Sequence, residues 1–290
     1  MKTDKPAVPG EHEGYFSEAR DKTKLFIYDY QPAVKYKSTI FIISGITGIN
    51  HHAEGDLIGL LSKNGNRVVV IHPRGTGFSG GVRGDISDFS DFITDYIEII
   101  TADRDYDSPW HRLLLFGHSM STAILLVIAD KIKNVGGAIL INPPFTLKRA
   151  KGMSPGLTEF MRYAWFYLFN RHKPVVNMAG DPEKIEDIED RKESESRMND
   201  PLLVNHFSLH MMMEIKKIMN SMACYADYAF YPLLLIYGER DRIVERKGCE
   251  TIYNAWNHPD KEFVIVKNGS HGQSTIKHAG EKISEWISNR

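Results

Sequence analysis

Cysteine is nearly missing from this chain, with two in 290 residues, Cys224 and Cys249. They make no C-x-x-C pair and no metal-ligand spacing, which excludes a disulfide framework or a zinc site as organiser and predicts two buried free thiols. An excess of one charge is also lacking: 36 Lys and Arg stand against 37 Asp and Glu, for a formal net charge of −1. Such a balance offers no polyanion-binding surface, so nucleic acid is not an expected partner. No apolar run is long enough to span a membrane. The longest aliphatic stretch, residues 123–129, is far short of the roughly 20 residues required. Residues 1–6 carry lysines with no apolar stretch behind them, so no signal peptide is expected and the location predicted is cytoplasmic. Internal repeats and low-complexity segments are absent too. What remains is a hydrophobic content of 42% and a charged content of 25%, globular values that supply a sizeable core. The length suits one α/β domain carrying an insertion.

The stretch around which the chain is arranged runs from His111 to Asp130. Residues 113–116 are an uninterrupted apolar run, as expected of a strand buried on both faces. Residues 121–129 are apolar over a length that suits a buried helix. Gly117-His118-Ser119-Met120-Ser121 lies between them with no room for a loop. A strand turning directly into a helix kinks sharply, and Gly117 relieves the crowding while Ser119 is held at the apex. The nucleophile elbow, G-x-S-x-G, has this geometry. Its serine is open to a base, and the N–H groups that follow point from a helix N-terminus at developing negative charge. The plainer alternative makes Ser119 an N-cap in an ordinary turn. Ser121 stands where the pattern has its last glycine, a small step up in size.

Before the elbow, residues 1–23 read as a polar tail, and residues 25–30 alternate like an edge strand. His12, between Glu11 and Glu13, is simply solvated. Residues 39–43 form a buried strand that ends in Ser44-Gly45-Ile46-Thr47-Gly48. Glycines there leave backbone N–H groups free to approach a ligand, so Gly45 is a candidate for substrate contact and Ile46 for an anion-hole donor; a simple turn is the alternative. The adjacent His51 and His52 diverge and make a poor chelate. Helices are predicted over residues 53–63 and 88–101, with a strand at 68–71 between them. Gly75-Thr76-Gly77-Phe78-Ser79-Gly80 matches a dinucleotide fingerprint only on paper, since no helical pattern begins inside it.

After the elbow helix comes a strand at 138–141, and there the α/β alternation stops. Residues 143–229 read as a helical cap, or lid, inserted into a core formed by residues 1–142 and 230–290. Within it residues 156–169 are apolar nearly all round, Trp165 among them, and residues 181–197 are dense in charge. Residues 209–222 place Met212, Ile215, Met219 and Met222 on one helical face. Methionine and aromatic stripes usually mean core packing, yet flexible apolar side chains are also what a lid over an apolar substrate requires, which makes Trp165 and Met212 candidate substrate contacts. Strands at 233–237 and 263–266 and a closing helix at 274–288 complete the chain.

In a doubly wound sheet, function collects where the carboxyl ends of the strands meet. Three such ends carry what acyl transfer needs. Ser119 is the candidate nucleophile, too weakly acidic to attack unaided. His271, in the loop after the last strand, can take its proton and return it to a leaving group. Asp241, four residues past Tyr237, can orient the imidazole and stabilise its charged form. The order Ser, Asp, His agrees with an α/β-hydrolase arrangement. Glu239 is a rival for the acid, and His258 and His278 are rivals for the base. The oxyanion donors are predicted to be the backbone N–H groups of Ile46 and Met120.

Five motifs in order, G-H-S-M-S at 117–121, H-P-R-G-T-G-F-S at 72–79, N-D-P-L at 199–202, Y-G-E-R-D-R-I-V at 237–244 and G-S-H at 269–271, resemble those of the α/β-hydrolase superfamily. Within it the chain is similar to the monoacylglycerol lipase and lysophospholipase-like esterases. Two positions depart from that pattern: Ser44-Gly45 replaces the usual His-Gly, and Ser121 the elbow's glycine. The resemblance implies a mostly parallel central sheet flanked by helices with a helical lid, and a serine hydrolase cutting carboxylic esters of a small-molecule acyl substrate without metal or organic cofactor. Aminopeptidase, thioesterase and acyltransferase activities on the same triad are the alternatives, as is a non-catalytic ligand-binding protein of the same fold.

Overall fold

Apolar runs without polar alternation become the interior strands β3 (Ser38–Ile42), β4 (Arg67–Ile71), β5 (Arg112–His118), β6 (Val135–Ile141) and β9 (Leu233–Gly238). The computed structural model describes residues 11–49, 51–148, 157–178, 183 and 188–289. With β1 (Glu11–Glu18), β2 (Lys24–Gln31) and β10 (Lys261–Val266) the interior strands form one eight-stranded sheet in the order β1-β2-β4-β3-β5-β6-β9-β10. The pairs β1/β2 and β2/β4 are antiparallel and the rest parallel. All the parallel strands therefore end at one edge, where the loops carrying Ser119, Asp241 and His271 collect.

Side chains along each strand alternate between two cores. Val69 and Ile71 of β4 join the cluster that holds Phe92 and Tyr96 of α2 (Phe89–Thr101), Ile124 of α3 (Met120–Lys131), Ile252 of α7 (Arg246–Ala255) and Ile215 and Met222 of α6 (Leu209–Asp227). Val68 and Val70 face the opposite cluster, with Ile58 of α1 (His51–Lys63) and Ile283 and Trp286 of α8 (Gln273–Ser288). This is the α/β-hydrolase layering predicted from the sequence. The start of α2 shows its local logic: Asp88 accepts a hydrogen bond from the Ser90 N–H at 2.8 Å, capping a helix whose Phe89, Phe92, Ile93, Tyr96 and Ile100 form the buried face.

Three expectations are corrected. Residues 11–18, read as tail, form β1, an edge strand in register with β2 from Glu11 opposite Gln31 to Glu18 opposite Lys24. Its sequence, EHEGYFSE, carries no long apolar run, because an edge strand needs little burial. Cys224 is exposed on α6, and only Cys249 is buried. The stretch after β6 is not purely helical. Besides α4 (Leu157–Phe169), α5 (Ile188–Asn199) and α6 it contains an antiparallel pair, β7 (Pro174–Asn177) and β8 (His206–Ser208). Of the predicted charged segment, residues 188–197 are helical; the earlier part, apart from residue 183, lies outside the described residues.

Arg67 is 2% exposed and is held by three carboxylates at the end of the sheet remote from Ser119. Asp29 takes its Nε and Nη2 at 2.8 and 2.7 Å, Asp103 takes Nη1 and Nη2 at 2.7 and 2.9 Å, and Asp105 takes Nη1 at 2.9 Å. Removing the cation deprives three buried carboxylates of their shared counter-charge. Arg67→Met is therefore expected to cost about 3–5 kcal/mol, and to lower the Tm by on the order of 10 °C. Thermal unfolding followed by circular dichroism checks this, and an unchanged Tm would contradict it.

Candidate active site

The turn between β5 and α3 is as tight as the sequence requires. A β-carbon on Gly117 would lie 3.2 Å from Leu125 Cδ1, the Ser121 carbonyl carbon and the Thr122 Cα, so the strand end and the helix touch here. Ser119 takes φ 53° and ψ −128°, a left-handed backbone that a serine adopts only where its surroundings impose it. The surroundings do so: the Ser119 N–H donates to the Ile141 carbonyl at 2.8 Å, and its carbonyl accepts from Thr122 N and Oγ1 at 3.0 and 2.6 Å. Ser121, the departure from glycine, closes the elbow further. Its hydroxyl accepts from the His118 N–H at 2.8 Å and donates to the His118 carbonyl at 2.9 Å.

Ser119, His271 and Asp241 meet although 152 and 30 positions separate the members of each pair. Ser119 Oγ lies 2.8 Å from His271 Nε2, and His271 Nδ1 lies 2.7 Å from Asp241 Oδ2. Asp241 is fully buried. Its other oxygen accepts the Ile243 and Val244 N–H groups at 2.7 and 2.8 Å, and Lys148 Nζ donates to its carbonyl. Burial works to raise the Asp241 pKa, but hydrogen bonding and charge from His271, with the two backbone donors, outweigh it and hold the carboxyl below its ordinary value. The acid thus stays ionised and acts as acceptor, which places the proton on Nδ1 and leaves Nε2 free to accept from the serine hydroxyl. The rivals are elsewhere. Glu239 is exposed and accepts from the Asn268 N–H at 3.2 Å, His258 is half-buried and accepts from the Asp260 N–H at 3.1 Å, and His278 is exposed on α8.

Met120 opens α3, so its N–H has no carbonyl one turn earlier to bind. The loop carrying Ile46 lies against the same helix end: a β-carbon on Gly45 would be 3.9 Å from the Ser121 nitrogen. Thr47, the next residue, is gripped from α5 and the stretch after it, with Arg197 Nη2 donating to its hydroxyl at 2.9 Å and the Val204 N–H to its carbonyl at 3.0 Å. Neither contact was legible in the sequence. Trp165 lies on α4, 54% exposed, against Phe166 and Phe169. Met212 is partly buried on α6 and, like Met120, packs on the core cluster that contains Ile46. The 72–80 loop is a brace rather than a phosphate cradle: His72 Nδ1 accepts the Phe78 N–H at 3.2 Å, Arg74 grips Asp95 at 2.6 and 2.8 Å, and the Gly77 N–H reaches the Leu202 carbonyl at 2.8 Å.

His118 Nε2 donates to the His271 carbonyl at 2.6 Å, so that nitrogen carries the proton. Burial first, and the neighbouring His271 second, push the imidazole down to about 3 from an ordinary 6.5. Between those values the unfolded chain binds a proton that the folded protein refuses, so stability falls as the pH drops below 6.5. Lowering the pH from 7 to 5 is expected to remove roughly 2 kcal/mol through this residue. The Tm of His118→Gln should depend less on pH over that range than the parent's; parallel curves would contradict the assignment.

Among the described residues no group of three or more His, Cys, Asp or Glu is placed to hold a metal ion, and no helix is long and apolar enough to cross a membrane. Comparison with known proteins agrees with the layering. The profile of the Hydrolase_4 family, described as serine aminopeptidase, S33, matches residues 35–274. Monoglyceride lipase of Rattus norvegicus is 24% identical over 289 residues, covering 93% of this chain and 88% of the relative. Among solved structures, a soluble variant of monoglyceride lipase from Saccharomyces cerevisiae in complex with a substrate analogue superposes with a TM-score of 0.80 at 17% identity, covering 97% of this chain and 98% of that one. A thermostable carboxyl esterase from Bacillus coagulans gives 0.74 at 14% identity, with 96% and 98% covered.

Proposed function

Since the chain belongs to the Hydrolase_4 family of hydrolases, we propose that it cleaves carboxylic esters through an acyl-enzyme on Ser119. The observation that carries this reading is the continuous relay from Ser119 Oγ through both nitrogens of His271 to Asp241, at 2.8 and 2.7 Å. In the proposed reaction His271 Nε2 takes the hydroxyl proton as Ser119 Oγ attacks the ester carbonyl. The resulting oxyanion accepts from the N–H groups of Met120 and Ile46, in a place where losing one donor costs about 10²–10³ in rate. The proton then passes from His271 to the departing alcohol. Water, deprotonated by the same imidazole, releases the acid. No step calls on a metal or organic cofactor.

Residues 143–229 form the proposed cap, with α6 rooted in the core through Ile215, Met222 and Ala226 and α4 bearing the more exposed apolar side chains. Trp165 and Met212 are the proposed acyl contacts. Each methylene buried there contributes about 0.8 kcal/mol, roughly fourfold in binding. Burial of about two of the additional methylenes of an octanoyl ester should therefore raise its kcat/KM over that of the acetyl ester by about tenfold. The monoglyceride lipase relatives make monoacylglycerols the first natural class to assay. Equal or faster turnover of acetate would remove the apolar pocket from the account. The family's description keeps an aminopeptidase reading in view; amino-acyl amides assayed beside esters and thioesters separate the two, and faster cleavage of the amides would replace the ester proposal.

A further inference from the structure

The backbone carbonyl of His271 is an unusual place to find two side-chain donors. His118 Nε2 reaches it at 2.6 Å and Asn142 Nδ2 at 2.8 Å. The Asn142 amide does more. The same nitrogen donates to the Ser270 carbonyl at 3.1 Å, and Oδ1 accepts the Gly238 N–H at 2.8 Å. Because a backbone N–H can only donate and a carbonyl only accept, these partners determine which end of the amide is which. Asn142 is fully buried and follows β6 directly, with a left-handed φ of 48° that asparagine tolerates better than most residues. Its own N–H donates to the Ile236 carbonyl of β9 at 2.9 Å.

These bonds connect the strand ends on which all three reacting groups ride. Gly238 ends β9, three residues before Asp241, and His118 ends β5, immediately before Ser119. The fit leaves no slack, since a β-carbon on Gly238 would collide with the Ser270 carbonyl oxygen and Thr275 Oγ1. A histidine that must lie within hydrogen-bond reach of both a serine and a carboxylate, on a loop between β10 and α8, needs its backbone fixed as well as its ring. A misplacement of about 1 Å in such a constellation costs about 10²-fold in rate.

We propose that Asn142, assisted by His118, is a positioning residue that clamps the loop of the base onto the strand of the acid. The proposal rests on the reading of Ser119, His271 and Asp241 as the reacting groups. Asn142→Ala removes all three side-chain bonds, and Asn142→Asp turns an acceptor oxygen toward two carbonyls. In both variants kcat per active site, counted by titration with a fluorophosphonate so that unfolded protein does not contribute, should fall about 10²-fold with KM changed less than threefold. His118→Leu removes one donor to the same loop and serves where an Asn142 variant does not fold. Its kcat should fall about tenfold, and combination with Asn142→Ala should cost more than the product, because each donor supports the other's acceptor. A role confined to stability would lower the Tm and leave kcat per titrated site at the parent value, and that result overturns the proposal. The Ser119→Ala variant, assayed in parallel, separates the failures. If it keeps turnover, the reading of the site has failed; if it loses turnover while the Asn142 and His118 variants keep theirs, only the clamp has failed.

Discussion

Ser119→Ala is expected to reduce turnover of a chromogenic acyl ester by a factor on the order of 10⁶, with the folded structure intact. The size follows from what the hydroxyl does and from what it does not do. Its oxygen is bonded to His271 Nε2, while the elbow itself is held by the backbone of Ser119 through Ile141 and Thr122, and by the Ser121 hydroxyl. Alanine therefore keeps the bonds that make the turn and loses the atom that would form the acyl intermediate. What rate survives would come from substrate binding and polarisation at the Met120 and Ile46 N–H groups alone. Steady-state kinetics with a p-nitrophenyl ester measure the loss, and far-ultraviolet circular dichroism verifies the fold. A variant retaining a tenth of the parent's activity would show that Ser119 is not the attacking group.

Asp241→Asn carries the second large effect, about 10⁴-fold in kcat. The carboxylate uses Oδ1 for the Ile243 and Val244 N–H groups and Oδ2 for His271 Nδ1. An asparagine keeps Oδ1 where the two backbone donors require an acceptor, which turns its NH₂ toward Nδ1. The imidazole then has to accept at Nδ1 and carry its proton on Nε2, facing Ser119 with a donor where an acceptor is needed. The geometry survives and the tautomer is wrong. Because shape is conserved, KM should move little, so the loss appears in kcat. An equal loss from Glu239→Gln with Asp241→Asn unaffected would transfer the acid's role to Glu239, against the exposed position and separate hydrogen bond observed for it.

How far the molecule could be read from its amino acids follows the strength of the physical signal at each place. The interior strands were legible because burial on both faces leaves unbroken runs such as residues 113–116 and 233–237, and α2 because its apolar residues recur at helical spacing beneath an Asp88 cap. The convergence of Ser119, Asp241 and His271 was legible because a chemistry restricts both the residue types and the strand ends at which they occur. β1 was hidden, since residues 14–18 are exposed or only partly buried and an edge strand needs no apolar run. β7 and β8 are too short for any pattern to announce them. The contacts that tune the site were hidden for a different reason. Asn142 after β6 looks like any polar residue at a strand end, and Arg197 in a charged helix gives no sign that it reaches Thr47. Each depends on partners distant in the sequence, which periodicity cannot express. Ser121 is, by size alone, only a small step up from glycine; its two bonds to His118 show that the hydroxyl takes part in closing the turn.

The relay is tested most directly by trapping it. Incubation with a fluorophosphonate, followed by proteolysis and mass spectrometry of the peptides, reports which oxygen in the whole chain has been made nucleophilic. The account predicts one stoichiometric adduct on Ser119, formed at least a hundredfold more slowly when His271 is alanine, on the basis that a positioned general base contributes about 10²–10⁴-fold. An adduct on another residue, or an unlabelled protein that still hydrolyses esters, would contradict it.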